Sequence, residues 1–113
     1  MRRDLTNVSR TLSILGWVNF SGTGVVTIND SVNVVSITDN GGTGDYTINW
    51  DQAFPATAYC LAGFAMNEGS TSRSFIAGGA KRLSATSTRF TVQDGSGNLT
   101  DYEVITLVAI GHL

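Results

Sequence analysis

The sequence predicts an all-β domain, either an antiparallel β-sandwich or a jelly-roll-like barrel, with a short N-terminal arm. From Leu15 onward, short β-rich runs alternate with clusters of Gly, Asn, Asp and Ser at a spacing of about 8 to 12 residues, which is typical of such folds. Helical periodicity is nearly absent there. Because 113 residues suffice for one core and not for two, we predict an arm over residues 1–14 and a single β domain over residues 15–113.

The N-terminal arm has an ambiguous pattern. Leu5, Val8, Leu12 and Leu15 are spaced three, four and three apart, which would place them on one stripe of a short helix that Asp4 could cap. The stripe covers fewer than two heptads, and the Thr and Ser residues between its members are mediocre helix formers. An extended arm that pairs with a neighbouring subunit fits the same residues.

Eight runs have the composition of strands, and turn-forming residues separate them. Asn-Gly and Asp-Gly pairs supply the positive φ angles that tight turns require, so hairpins are predicted over residues 36–50 and 90–104. The predicted strands are residues 15–20, 24–29, 32–38, 45–51, 58–66, 74–77, 88–93 and 101–110.

Alternation along the strands predicts which faces are buried. In residues 45–51, Tyr46, Ile48 and Trp50 alternate with polar residues, as in a strand with one exposed face. Residues 58–66 and 103–110 do not show this one-sided pattern. The run 58–66 has no charged residue on either face, and the run 103–110 is largely apolar on both faces. A monomer of this size has difficulty covering both faces of two central strands, so we expect another subunit to cover part of this surface. The candidate interface residues are Leu5, Val8, Leu12, Leu107 and Val108.

Composition excludes several classes of protein. Charged residues make up 14% of the chain against a usual figure of about 25%, whereas Thr, Ser and Gly number 14, 11 and 13. This profile excludes a coiled coil, a disordered charged tail, a disulfide scaffold and a polybasic nucleic-acid binder. The net charge of -2 and the pI near 5.0 give no reason to expect nucleic acid or an anionic membrane as a partner.

The sequence also lacks the signals of a membrane span or a secretory leader. No apolar run reaches the roughly 18 residues that a membrane-spanning helix needs. The opening residues MRRDLTNVSRTLS carry charges and contain no apolar core of the kind found in signal peptides. We therefore expect a protein that is soluble where it is made.

Catalytic chemistry is not predicted. A nucleophilic triad needs a base beside its Ser or Cys, and the one histidine, His112, lies next to the last residue. One Cys and one His cannot form a zinc site, and most acidic residues lie in or beside turns. Cys60 lies in an apolar run and is expected to be a buried, small hydrophobic residue. We expect neither an enzyme nor a bound cofactor.

Two polar turns are candidate binding loops. Asp94, Ser96 and Asn98 alternate with glycines like the first ligands of a calcium loop, but Leu99 and Ile105 replace the Gly and Glu that such a loop requires. A plain turn is therefore favoured over a metal site. Exposed Ser, Asn and Gly can also bind sugars or proteins at small ordering cost. The candidate loop residues are Asp39, Asn40, Gly41, Gly42, Asp94, Ser96 and Asn98.

Residues 17–50 contain a distinctive series of short motifs. Trp17-Val18-Asn19-Phe20 is followed by Gly22 and Gly24, then by the turn Ser36-Ile37-Thr38-Asp39-Asn40-Gly41, then by Gly44-Asp45-Tyr46-Thr47-Ile48-Asn49-Trp50. This stretch resembles a recurrent module of tailed-bacteriophage virion proteins that is often met at the end of predicted tail fibres. Beyond Trp50 the likeness continues weakly to the closing strand, and residues 1–13 fall outside it.

The resemblance implies a structural or adhesive β domain, usually a homotrimer, on the outside of a virus particle made in the host cytoplasm. Such a module can contact a host surface glycan or protein. Fibre modules follow a long shaft, whereas sixteen residues precede Trp17 here, which favours a small component that attaches to other virion proteins, of the capsid or the tail, by its N-terminal arm. The alternatives are a capsid decoration (cement) protein that clamps capsomers and, in another class, a free lectin-like binding module.

Overall fold

The computed structural model describes residues 12–68, 74–77 and 84–113, which contain eight β-strands. Each predicted strand has a counterpart, with bounds that differ by a few residues at most. The strands are β1 (Leu12–Ser21), β2 (Thr27–Val32), β3 (Val34–Asp39), β4 (Asp45–Trp50), β5 (Cys60–Met66), β6 (Ser74–Ala77), β7 (Ser87–Asp94) and β8 (Val104–His112).

The strands form two four-stranded sheets in which all neighbours are antiparallel. Sheet 1 has the order β2-β1-β8-β5, and sheet 2 has the order β3-β4-β7-β6. The inner faces of both sheets contribute to one hydrophobic core. The prediction of an all-β antiparallel sandwich is confirmed.

Period-two alternation decides what enters this core. In β4, Tyr46, Ile48 and Trp50 are buried while the residues between them are partly exposed, as the sequence predicts. In β1, Val18 and Phe20 are fully buried. Aromatic rings join the sheets, since the Phe20 ring lies edge-on to the Tyr46 ring at a centroid distance of 5.2 Å.

The chain passes from sheet 1 to sheet 2 at Asn33, the single residue between β2 and β3. Asn33 has a φ of 62°, a left-handed conformation that Asn tolerates better than most residues. Its side-chain Nδ2 donates to the carbonyl oxygens of Leu15 at 3.0 Å and Gln52 at 3.1 Å, and its Oδ1 accepts from the Gln52 amide at 2.6 Å. These bonds hold the corner of the sandwich.

One predicted hairpin is confirmed and the other is wrong. The β3 and β4 strands form the expected hairpin around residues 40–44. The second turn brings the chain back only as far as an isolated bridge between Gln93 and Leu99, and the Thr100 amide then donates to the Val92 carbonyl at 3.0 Å. Past this point the chain crosses to sheet 1 through the buried Tyr102, so β7 and β8 lie in different sheets. The turn chemistry signals reversal but not how far the returning chain stays paired.

The start of β1 changes the picture of the N-terminal arm. Leu12 is the first residue of β1, so the last three residues of the predicted arm are strand, and Leu12 and Leu15 are not part of a helix. Leu5 and Val8 lie outside the described residues. Cys60, which we expected to be buried, is exposed at the start of β5, because it lies on the outer face of an edge strand.

Candidate functional site

The outer face of sheet 2 is largely polar, although Phe75 of β6 is 55% exposed beside Gln93. The side-chain amide of Asn49 donates to the hydroxyl oxygens of Ser36 at 3.0 Å and Thr38 at 2.9 Å, so polar side chains bind one another across β3 and β4. Arg89 on β7 makes a bidentate ion pair with Asp45 on β4, with N–O distances of 3.0 and 2.9 Å. A face of this kind is stable in contact with water.

The outer face of sheet 1 is mostly apolar, and the cross-strand register defines its members. Trp17 pairs with Val108, which pairs on its other side with Ala62. The neighbouring row of Ile14, Ile110 and Cys60 is also apolar, whereas the row on the other side places Asn19 and Thr106 beside Phe64. The side chains of one row share a face of the sheet. We call this surface the apolar face; it consists of Ile14, Trp17, Val32, Cys60, Ala62, Phe64, Met66, Val104, Val108 and Ile110.

Several members of the apolar face are strongly exposed. The exposed fractions are 65% for Ile14, 54% for Val32, 54% for Phe64 and 42% for Met66. Single exposed apolar residues are normal on protein surfaces, whereas a contiguous apolar area across four strands marks an interaction site. The two outer faces of the sandwich therefore differ in chemistry, because the exposed apolar residues of sheet 1 form one contiguous area.

A groove of about 420 Å³ runs across the apolar face. The large rings of Trp17 on β1 and Phe64 on β5 stand on either side of the shorter β8 residues. Two strand spacings, about 10 Å, separate β1 from β5, the strands that carry these rings. The lining residues are Trp17, Ala62, Gly63, Phe64, Thr106, Leu107 and Val108.

Gly63 is needed to bring β5 close to β8 under this groove. A Cβ atom at this position would overlap the Thr106 carbonyl oxygen and lie 2.8 Å from Leu107 Cδ2. Such a contact is far closer than real Cβ atoms make, and one of the atoms is backbone. Glycine at this position therefore lets β5 lie close to β8.

The groove is suited to contact and not to chemistry. Among the described residues that line it, Thr106 alone has a hydroxyl group, which donates to the Val18 carbonyl at 3.3 Å. The lining holds no carboxylate, imidazole or thiol that could move a proton or attack a substrate. Its available chemistry is the burial of apolar surface.

A polar margin borders the apolar face where β1 meets β2. The Asn29 amide donates to Asn19 Oδ1 at 2.9 Å, and Asp30 Oδ1 accepts from the Ser31 amide at 2.8 Å. A register shift beside Asn19 marks a β-bulge in this pair of strands. An apolar centre beside a polar rim is the usual composition of a protein interface.

The first candidate loop, which contains Asp39, Asn40, Gly41 and Gly42, uses its polar groups to shape itself. The Gly41 amide donates to Asp39 Oδ1 at 3.1 Å, and the Asn40 side chain donates to Asp45 Oδ1 at 3.2 Å and to Thr47 Oγ1 at 2.9 Å. Gly41 and Gly42 have φ angles of 76° and 95°, which suit glycine. These contacts are those of a turn.

The second loop, with Asp94, Ser96 and Asn98, is built around one carboxylate. Asp94 Oδ1 accepts from the amides of Ser96 at 2.8 Å and Asn98 at 3.0 Å. Backbone hydrogen bonds, first from Asn98 and then from Ser96, hold the pKa of Asp94 below its ordinary value. Across residues 12–68, 74–77 and 84–113, no three His, Cys, Asp or Glu side chains cluster closely enough to hold a metal ion.

The structure joins the roots of the two loops. The Gly44 amide, which follows the first loop, donates to Asp101 Oδ1 at 2.8 Å, and the Gly44 carbonyl accepts from the Val92 amide at 2.8 Å. Residues from the two predicted binding loops therefore emerge from adjoining parts of the sandwich.

The candidate interface residues are placed differently from one another. Val108 lies on the apolar face beside Trp17, and Leu12 lies 66% exposed at the start of β1. The Leu107 side chain points the other way and is only 1% exposed, so it belongs to the core between the sheets. Trp17 and Phe64, the largest residues of the face, were not among the candidates. The signal that could have identified them is the alternation of residues along β1 and β5, which places each of them on the same face as Val108.

Comparison of this chain with protein-family models, with curated proteins and with solved structures finds no match. Within the part of the chain that the structure describes, no helix is long and apolar enough to cross a membrane.

Proposed function

We propose that this protein is a structural component of a tailed-bacteriophage virion, a surface or fibre-like attachment module without enzymatic activity that functions as a homotrimer. The observation that carries the proposal is the contrast between the two outer faces of the sandwich. One is a solvated polar network, and the other is an apolar face with a groove of about 420 Å³. A structural subunit needs such a face for assembly, and a free monomer does not.

The site geometry favours assembly over catalysis or sugar binding. The groove lining offers one hydroxyl, and that hydroxyl is donated inward to the backbone of β1. Sugar-binding sites combine aromatic rings with several free hydrogen-bonding groups, and here the polar groups of both candidate loops are engaged in their own turns. The likeness of residues 17–50 to phage modules supplies the virion context and the number three.

In this proposal the residues before β1 attach the module to other capsid or tail proteins, and the two candidate loops are available to a host glycan or protein. The virion is its place of action after synthesis in the host cytoplasm. A tagged protein, expressed during infection, should co-purify with particles through a density gradient. Its presence on isolated tails supports attachment, and its presence only on DNA-filled, tail-less heads would replace attachment with capsid decoration.

Absence from purified particles would overturn the virion role. A glycan array with the purified domain then tests the lectin-like alternative. Sugar binding that is lost when the residues of the two loops are replaced by alanine would favour that alternative.

A further inference from the structure

We infer that the apolar face is the self-association surface of this protein and that a second copy of the same chain covers it. The inference deepens the oligomer of the proposed function by assigning it a face, which in a trimer each copy shares with its two neighbours, but it does not depend on the virion role. It rests on the size of the face, its lack of charge and the state of the neighbouring sheet edges.

The size of the face matches what a stable contact between two copies needs. Four strands about 4.8 Å apart and about eight residues long, at about 3.4 Å per residue, give a face of roughly 500 Å² in projection. Rings that stand up from the sheet, such as those of Trp17 and Phe64, raise the accessible area above the projected area. A standard interface takes about 800 Å² of accessible surface from each partner, which the face and its polar margin together can supply.

The centre of the face carries no charged side chain, so two copies can bring it together without burying a charge. None of its members is an Asp, Glu, Lys, Arg or His residue, and the carboxylate of Asp30 lies in the polar margin beside Asn19. Among the described residues, the one Lys or Arg side chain is that of Arg89, which lies on the outer face of the other sheet and is paired with Asp45.

The sheet edges favour contact through the face over extension of the sheet. On the free edge of β5, the Ser74 hydroxyl accepts from the Ala65 amide at 3.1 Å and donates to the Ala65 carbonyl, so the backbone that an added strand would use is occupied there. On the opposite edge, the bulge near Asn29 interrupts the regular ladder of β2. Capped and bulged edges resist pairing with another chain. A second copy therefore packs on the face.

The chain carries its own probe for this contact. Cys60 is the single cysteine, is exposed, and lies on the apolar face opposite Ile110 of β8. The experiment combines light scattering with the rate of Cys60 modification by a thiol reagent over a range of protein concentrations. We expect a mass that is a multiple of 12.0 kDa and a modification rate that falls by about tenfold once the concentration is some 100-fold above the dissociation constant.

Matched variants test the assignment of the face. Phe64→Asp and Ile14→Asp place a carboxylate at exposed positions of the apolar face, where the monomer fold tolerates it but a covered face does not. Both should give a folded monomer whose Cys60 reacts at the same rate at every concentration. Thr38→Asp, which adds the same charge to the exposed face of sheet 2, is the control and should leave the mass and the protection of Cys60 unchanged. Circular dichroism verifies that each variant is folded.

Three results would overturn the inference. A 12-kDa species with a reactive Cys60 at all concentrations would show that the face stays open. A 12-kDa species with a protected Cys60 would show that residues 1–11 of the same chain cover it. An oligomer that survives both Phe64→Asp and Ile14→Asp would place the contact elsewhere and leave the proposed homotrimer intact. None of these results bears on the particle fractionation, so the virion role stands or falls separately.

Discussion

The hydroxyl of Tyr46 is a point at which single residues hold the two sheets together. It donates to Asp101 Oδ1 at 2.5 Å and lies 3.2 Å from the Gly22 carbonyl oxygen. The same Asp101 oxygen accepts from the Gly44 amide at 2.8 Å, and the Gly22 amide donates to the Tyr102 carbonyl at 2.8 Å. Tyr46 belongs to sheet 2, whereas Gly22 follows β1 and Asp101 precedes β8 of sheet 1, so this network links both layers where the chain crosses between them.

Removal of this hydroxyl should destabilise the fold without disturbing its packing. Tyr46→Phe keeps the ring in its cluster with Phe20 and Phe90 but leaves the Asp101 carboxylate without one donor, and we expect a loss of about 1–3 kcal/mol in the free energy of unfolding. Urea denaturation followed by circular dichroism measures it. Asp101→Asn retains an oxygen that can accept from Tyr46 and Gly44 and should cost less. A larger loss for Asp101→Asn than for Tyr46→Phe would contradict the assigned roles.

Alkaline pH should unfold the protein through its tyrosines. Burial, followed by the hydrogen bond and charge of Asp101, raises the pKa of Tyr46 well above its ordinary value, and burial also raises the pKa of Tyr59 and of Tyr102. The unfolded chain releases phenol protons near pH 10, whereas the folded chain retains them. Above about pH 10 the unfolded state thus binds fewer protons, and the free energy of unfolding falls by about 1.4 kcal/mol per pH unit for each tyrosine that stays protonated in the fold.

Urea denaturation at intervals from about pH 9 to pH 11.5 should show this decline, and Tyr46→Phe should make it shallower because one retained proton is gone. An equally steep decline in the variant would mean that Tyr46 ionises in the folded protein.

At the scale of elements, strands are predictable and their partners are less so. Alternation in β4 and the apolar character of both faces in β5 and β8 are properties of local sequence, and both are confirmed. β7 and β8 lie in different sheets because β8 pairs with β1 and β5, and the buried Tyr102 lies in the segment that crosses between the sheets. A turn motif does not show which distant strands a following strand will pair with.

The candidate site shows the same division. The two-faced pattern of β5 and β8 predicted a covered surface, but it did not show which face each residue takes, and parity assigns the Leu107 side chain to the core. Trp17 joins the face only through the register of β1 on β8, where a bulge between Ile14 and Gly16 shifts the pairing. A register shift of one residue reverses which side chains face out, and sequence periodicity does not locate such a shift.

The close approach of β5 to β8 should depend on the lack of a side chain at Gly63. Gly63→Ala places a methyl group against the Thr106 carbonyl oxygen of β8 and beside Leu107, so the strands must separate, at a cost of about 1–3 kcal/mol in the free energy of unfolding. Thermal and urea denaturation measure this cost. Ala62→Ser, one position earlier on the exposed side of the strand, is the matched control and should change stability little. Equal stability of Gly63→Ala and the unmodified protein would show that β5 can move without cost.

At the scale of the whole molecule, the sandwich has a largely polar outer face on sheet 2 and a mostly apolar outer face on sheet 1. Its two tryptophans report on different surroundings, because Trp50 is buried in the core while Trp17 is half-buried on the apolar face. If copies associate through that face, only Trp17 loses contact with water on association.

Tryptophan emission should therefore shift to shorter wavelength as the protein concentration rises. Trp17→Phe keeps an aromatic ring on the face and leaves Trp50 as the sole emitter, so its spectrum should be the same at all concentrations. Persistence of the concentration-dependent shift in Trp17→Phe would assign the change to Trp50 and to the core, and would contradict association through the apolar face.

The pairing of β1 with β8 has a consequence for how this domain forms on the ribosome. The register joins Leu12 to His112, so the two central strands of sheet 1 come from opposite ends of the described chain. Until β8 has left the exit tunnel, β1 has only β2 beside it, and its other edge has no partner strand. Contacts between distant parts of a chain form late. During synthesis on crowded polysomes, the β8 strand of one nascent chain can reach the vacant β1 edge of its neighbour, so intertwined pairs are the misassembly that this topology invites.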